Sequence, residues 1–288
     1  MSEFVIYTDS SCDIDPKLLS EWGVPYACLT LRFDGDEKEY ADNELNPKEF
    51  YDRMRDGGVA KTAAINSEIF TIEFEKYLSE GKDLIYFGLS SGLSTTYNSA
   101  RLAAEALREK YPDRKIYAMD TRTASAGTGL LLYLAVQKKN EGATIDEVVA
   151  YIETLIPKLC HWFTVDDLVY LKRGGRVSAA AAFFGNALGI KPVLHVDDEG
   201  HLTPVVKVRG RKTSIKTIAD KYTEFAEDPE NGTVFISHGD CLTEVEELAR
   251  IIKERHGADV KIITYVGTVI GAHSGPGTIA LFFVGKER

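Results

Sequence analysis

Leu84-Ile-Tyr-Phe-Gly-Leu89, followed by Ser90-Ser-Gly-Leu-Ser-Thr-Thr-Tyr-Asn-Ser99, is an apolar run that stops abruptly in a cluster of hydroxyls around one glycine. The run reads as a buried strand ending in a polar loop. Beyond it, Ala100, Leu102, Ala103, Ala106 and Leu107 recur at helical spacing, so the loop opens onto a helix whose first backbone N–H groups lack intrahelical partners. That succession is a ready anion site, because unpaired N–H groups and the positive end of the helix dipole point at one spot. A plainer use of Ser94 or Thr95 is to cap the helix.

The same arrangement recurs on either side. Phe4–Thr8 is a β-rich run ending in Asp9-Ser-Ser-Cys-Asp13, and Lys115–Met119 ends in Asp120-Thr-Arg-Thr-Ala-Ser125 ahead of a helix rich in Leu and Ala. Asp15-Pro16 and Asn46-Pro47 are helix starts, since Asp or Asn caps and Pro suits the first turn. Val24–Phe33 reads as one strand. Lys61-Thr-Ala-Ala64 is a small-residue segment ahead of a helix with Ile69, Phe70, Ile72 and Phe74 at spacings of three and four. Alternating strands and helices predict a parallel sheet in a three-layer α/β/α arrangement, with three polar loops converging at the carboxyl ends of its strands. Asp9, Ser10, Asp120 and Ser125 would serve equally to tie those loops together.

After a helix from Gly142 to about Leu159 the pattern changes. Lys191–Val196 and Thr203–Val208 flank the turn Asp197-Asp-Glu-Gly200 and predict a hairpin. Further strands are expected at Thr233–Ser237, Val260–Val266 and Thr278–Val284, with a helix carrying Val245, Leu248, Ile251 and Ile252 among them. The expectation is two domains, a parallel α/β domain over 1–160 and an α+β domain with a mixed sheet over 161–288, with a cleft between them as the default binding site.

Composition narrows the class. A chain of 288 residues with 44% apolar content can bury one large or two ordinary cores. The net charge of −10 argues against a nucleic-acid or anionic-membrane surface. No apolar run approaches the roughly 18 residues of a membrane span, and Met1–Ile6 does not resemble a signal peptide, so a cytoplasmic protein without membrane insertion is expected. The four cysteines form no CxxC pair; they read as buried thiols, and neither metal nor cofactor is assigned. GxxxxGK[ST], HExxH and GxSxG motifs are absent.

Several side chains remain chemically suggestive. His273 lies in Gly271-Ala-His-Ser-Gly-Pro-Gly277, a predicted loop where glycines allow close backbone approach. His238, after a strand, is a weaker candidate and would simply bond Asp240. Arg209 and Arg211 would bring positive charge to the cleft or form a solvated basic turn. Lys172-Arg-Gly-Gly-Arg176 is a basic loop in an acidic protein, suited to an acidic docking partner.

Thr8–Asp13, Lys61-Thr62, Ser90–Ser99, Asp120–Ser125, Leu171–Ser178 and Gly271–Gly277 together, in this order and spanning nearly the whole chain, resemble the DegV family of bacterial fatty-acid-binding proteins. The resemblance implies a two-domain fold holding one long-chain fatty acid, its tail in a buried tunnel and its carboxylate near the domain junction. It implies a non-enzymatic carrier in phospholipid metabolism that presents the carboxylate to a separate fatty-acid kinase. On that pattern Thr62 and Ser94 donate to the carboxylate, His273 sits beside them, Arg209 supports the site, and Lys172, Arg173 and Arg176 lie where the kinase docks. Family members often carry further hydroxyls after the Lys-Thr pair, whereas this chain has Ala63-Ala64-Ile65-Asn66, which bears on head-group geometry and acyl preference.

The physics of such a ligand is sound. Burying about 14 methylenes at about 0.8 kcal/mol each gives on the order of 11 kcal/mol gross, part of it lost to ordering the tail. The carboxylate must then be satisfied by hydroxyls, loop N–H groups or a histidine. Phe183, Phe184, Leu188, Ile190, Leu281 and Phe282 are available as lining. Two other readings are an acyl hydrolase or transferase with Ser94 as nucleophile and His273 as base, and a stand-alone lipid sensor.

Overall fold

The computed structural model describes residues 3–177 and 189–288; Ser178, Phe183, Phe184 and Leu188 lie outside them. The first half begins with β1 (Phe4–Asp9), α1 (Pro16–Glu21), β2 (Tyr26–Ala27), β3 (Thr30–Phe33), β4 (Tyr40–Ala41) and α2 (Pro47–Arg55). It continues with β5 (Ala60–Ala63), α3 (Ser67–Ser79), β6 (Asp83–Gly88), α4 (Thr96–Lys110), β7 (Ile116–Asp120), α5 (Ala126–Asn140) and α6 (Ile145–Leu155). A parallel sheet in the order β2-β1-β6-β7 forms the frame. The decisive stretch, β6, is buried at every position. Its Ile85 and Phe87 belong to the core on one face and Leu84 and Tyr86 to the core on the other, as a strand covered on both sides requires.

Local chemistry sets the helix starts. Asp15 and Asn46 accept from Lys17 N and Lys48 N beside prolines in the first turn, and Thr144 with Glu147 forms a capping box ahead of α6. On α3, Phe70 and Phe74 are fully buried while Ile69 and Ile72 are 43% and 56% exposed; the four-residue spacing of the aromatics, not the isoleucines, selects the core face.

Two short stretches differ from the sequence reading. Val24–Phe33 is broken: Tyr26 and Ala27 pair in parallel with β1, Leu29 N then donates to Ser10 Oγ at 3.1 Å, and Thr30–Phe33 joins a separate antiparallel sheet, β4-β3-β5. Lys61–Ala63, read only as a small-residue segment, is part of strand β5, with Thr62 opposite Leu31.

The second half comprises β8 (Leu159–Thr164), α7 (Val169–Arg173), β9 (Ile190–Val196), β10 (Leu202–Arg209), α8 (Arg211–Phe225) and β11 (Val234–His238). α9 (Leu242–His256), β12 (Val260–Tyr265), α10 (Thr268–Ser274) and β13 (Ile279–Val284) complete it. Its sheet runs β10-β9-β8-β13-β11-β12, parallel at β11/β12 and antiparallel at the other pairs. The α/β architecture, a parallel sheet followed by a separate mixed one, is the one read from the sequence. Phe163, Phe235, Ala280 and Phe282 face α5, and Trp162, Ile236, Leu281 and Phe283 face α8 and α9.

Among the contacts that tie the halves together, two shape the region between them. The β9–β10 hairpin reaches Ser90, whose hydroxyl donates to Gly200 O at 2.9 Å; Gly200 has φ +83°, and a Cβ there would lie 2.1 Å from Ser90 Oγ. Gly271–Gly277, expected as loop, is helical as far as Ser274, and α10 packs on α2, β3, β5 and α7. Asp42 supplies the reason, for its Oδ1 accepts from Thr268 Oγ1 and Val269 N at 2.7 and 2.9 Å and so caps this helix from the other half of the chain.

Candidate functional site

A cavity of about 410 Å³ opens where the loop after β6, the strand β5, the helix α10, the end of α7 and the α5-facing side of the mixed sheet meet. Its apolar wall includes Leu29, Leu89, Phe163, Leu171, Val269 and Ala280. The loops after β6 and β7 contribute Ser91–Thr95 and Ser125, so ligand space forms at the carboxyl ends of the parallel strands. The loop after β1 braces it from behind: Asp9 accepts from Ser11 N and Tyr86 Oη, and Asp13 accepts from Ser125 Oγ at 2.5 Å. Burial raises both carboxyls above the usual carboxylate range.

Thr62 and His273 come together although 211 positions separate them: Thr62 Oγ1 lies 2.8 Å from His273 Nε2. Burial, reinforced by the charge of Arg176, lowers the His273 pKa to about 4, so the ring is neutral at pH 7. Among the described residues its buried Nδ1 has no hydrogen-bond partner, and it faces Gly174, where a Cβ would approach to 2.2 Å. Ser94 lines the same cavity. Its Oγ is 2.9 Å from Thr96 Oγ1 and accepts from Thr96 N at 3.2 Å, so the capping use coexists with exposure to ligand space. With Ser94 on Thr96 and His273 on Thr62, the hydroxyl–imidazole pair of a hydrolase is not assembled.

Arg176 also lines the cavity, donating to Leu93 O at 3.1 Å and Gly174 O at 2.5 Å. Arg209 is not brought there; it ends β10 exposed, opposite Ile190. Arg211 pairs with Glu244 at 3.0 Å and donates to Gly277 O at 2.5 Å, bracing the turn after α10. Lys172 and Arg173 are exposed in the last turn of α7. His238 is buried away from the cavity, its Nδ1 accepting from Cys241 N at 3.3 Å rather than bonding Asp240.

Of the expected lining residues, Leu281 is displaced by strand alternation. Ala280 faces the cavity, so Leu281 points to the opposite core. Ile190 and Phe282 are not in the wall. Ala63 and Ala64 present methyls to the cavity, and Asn66 caps α3 by accepting from Ile69 N at 2.9 Å. Sequence reasoning missed His161 and Ser237; the usable signal was a polar residue inside an otherwise apolar strand, Leu159-Cys-His-Trp-Phe-Thr164.

Residues 3–286 match the family model described as "Uncharacterised protein, DegV family". The chain belongs to the DegV family. A DegV domain-containing protein of Clostridium perfringens is 43% identical over 291 residues, covering 100% of this chain and 99% of that protein. A solved DegV family protein of Thermus thermophilus, described by its fatty acid binding, superposes with TM-score 0.88 at 29% identity, over 99% of this chain and 100% of that one. The stearic acid-binding protein of Eubacterium ventriosum gives TM-score 0.88 at 27% identity, over 98% of each chain. Among the described residues, no helix is long and apolar enough to cross a membrane.

Proposed function

We propose that this DegV protein binds one long-chain fatty acid, its tail against the apolar wall of the cavity and its carboxylate at Thr62, Ser94 and His273. The observation that carries this reading is an apolar-walled cavity of about 410 Å³ with the Thr62–His273 hydrogen bond in its lining. The volume falls within the roughly 300–1,000 Å³ of small-ligand pockets, and the solved relatives named above bind fatty acids. If Nε2–H of the neutral ring donates to Thr62 Oγ1, the Thr62 O–H is released to donate to the carboxylate. Arg176 takes the supporting role first expected of Arg209, because among the described residues it is the arginine in the wall.

The finer reading is a cytoplasmic, two-domain carrier, 1–160 and 161–288, that performs no chemistry and holds the acid for a partner fatty-acid kinase to phosphorylate. Lys172 and Arg173, exposed on α7 next to the cavity residues Leu171 and Arg176, provide the docking charge. Mass spectrometry of protein purified from a bacterial host and denatured is expected to release stoichiometric fatty acid; a protein that is empty and cannot be loaded would refute the reading. A Thr62→Ala, Ser94→Ala double variant that retains full affinity would remove the head-group assignment.

A further inference from the structure

We propose that His161 is a second polar contact inside the fatty-acid cavity, and that it selects acyl chains carrying a hydroxyl well along their length. The inference rests on the fatty-acid reading above and names the ligand class more closely.

His161 lies on β8, buried at 5% exposure, and lines the cavity beside Phe163. Its place relative to the head-group residues follows from the sheet. Thr278, just ahead of β13, donates to Ser274 O at 3.0 Å and so sits beside the end of α10 that carries His273. His161 pairs with Phe282, four residues further along. At about 3.4 Å per residue this is roughly 14 Å of strand. A tail running along this face from a carboxylate at His273 therefore passes His161 in mid-chain.

The ring has capacity to spare. Nδ1 bonds Thr123 Oγ1 at 3.1 Å, and Nε2 has no hydrogen-bond partner among the described residues. Two polar neighbours in the wall are already committed, since Ser237 Oγ bonds Ser125 Oγ at 2.9 Å and Ser125 donates onward to Asp13. A bare methylene chain passing His161 would leave Nε2 unpaired against hydrocarbon, whereas a hydroxyl satisfies it in either tautomer, accepting from Nε2–H or donating to bare Nε2. Burial keeps the imidazole neutral, with a pKa lowered to about 3, which suits a hydroxyl and disfavours a second carboxylate. Fixed by Thr123 and packed against Phe163 and Phe282, with ring centroids 5.2 and 4.4 Å away, the ring is held in place before any ligand arrives.

The test is competition binding to delipidated full-length protein, using octadecanoate and its 2-, 10- and 12-hydroxy derivatives. The expected result is that at least one mid-chain isomer binds roughly 5- to 10-fold more tightly than octadecanoate, as a recovered hydrogen bond would give, and that the 2-hydroxy isomer does not. In His161→Leu the ratio should fall to about one. Octadecanoate that binds without preference for either mid-chain isomer overturns the inference and leaves the fatty-acid reading standing. Failure of octadecanoate itself to bind removes that reading. A preference that survives unchanged in His161→Leu also overturns the inference, and if this variant does not fold the wild-type comparison decides.

Discussion

At the scale of single residues, the candidate site pairs a neutral histidine with a threonine. Thr62→Val keeps the shape of the side chain and removes the hydroxyl; a hydrogen bond to a charged group is worth about 1.5–3 kcal/mol, so fatty-acid affinity measured by calorimetry should fall roughly 10- to 100-fold. His273 also predicts a pH dependence. Its folded pKa of about 4 lies below the ordinary histidine value of 6.5, so the unfolded chain binds the proton more readily between those limits. Its stabilising contribution is present above pH 6.5 and lost as pH falls towards 4. His161, lowered to about 3, acts in the same direction. Thermal unfolding of ligand-free protein across this window should show a smaller loss in His273→Gln than in wild type. Bound carboxylate should flatten the wild-type profile, because an adjacent anion favours the protonated ring. His273 was legible as a candidate from its glycine-rich neighbours; Thr62, and its place beside His273, came only through the family resemblance, since nothing local relates residues 211 apart.

At the scale of elements, the long ones were legible and the short ones were not. β6 and α4 declared themselves by an uninterrupted apolar run and a helical period. β2, β4 and β5 span two to four residues, too few for a period, and are specified by partners distant in sequence. α10 was masked by its glycines: Gly271 reads as loop, yet it is the residue that lets the helix settle on Tyr51, where a Cβ would come within 2.5 Å of Oη. What fixes α10 is Asp42. Asp42→Ala leaves Val269 N without its acceptor and Thr268 Oγ1 with only the backbone carbonyl of residue 42, and should lower stability in urea by about 1–2 kcal/mol, with loss of fatty-acid binding as His273 shifts. Asp42→Asn keeps the acceptor and relieves repulsion between the Asp42 and Asp13 carboxyls, so it should be at least as stable as wild type at pH 7.

At the scale of the whole molecule, charge and chain path matter most. In a protein of net charge −10, exposed Lys172 and Arg173 on α7 form a local exception beside the cavity. Arg173→Glu should abolish recovery of an ATP-binding partner in pull-downs from the native cell while leaving fatty acid bound. The order of folds along the chain was readable because strand–helix alternation gives way to hairpin spacing near Leu159; how the halves interlock was not, for it depends on one hairpin reaching Ser90 and one helix crossing back to Asp42. That crossing imposes a timetable on biosynthesis. A ribosome adding about 5–20 residues per second delivers His273 some 10–40 s after Thr62, given the 211 positions between them. By the end of that interval the nascent chain holds Leu29, Leu89 and Phe163 of the cavity wall without the helix that completes it. On the proposed reading, the cavity that would hold a fatty acid is complete only once α10, among the last elements synthesised, has joined the rest.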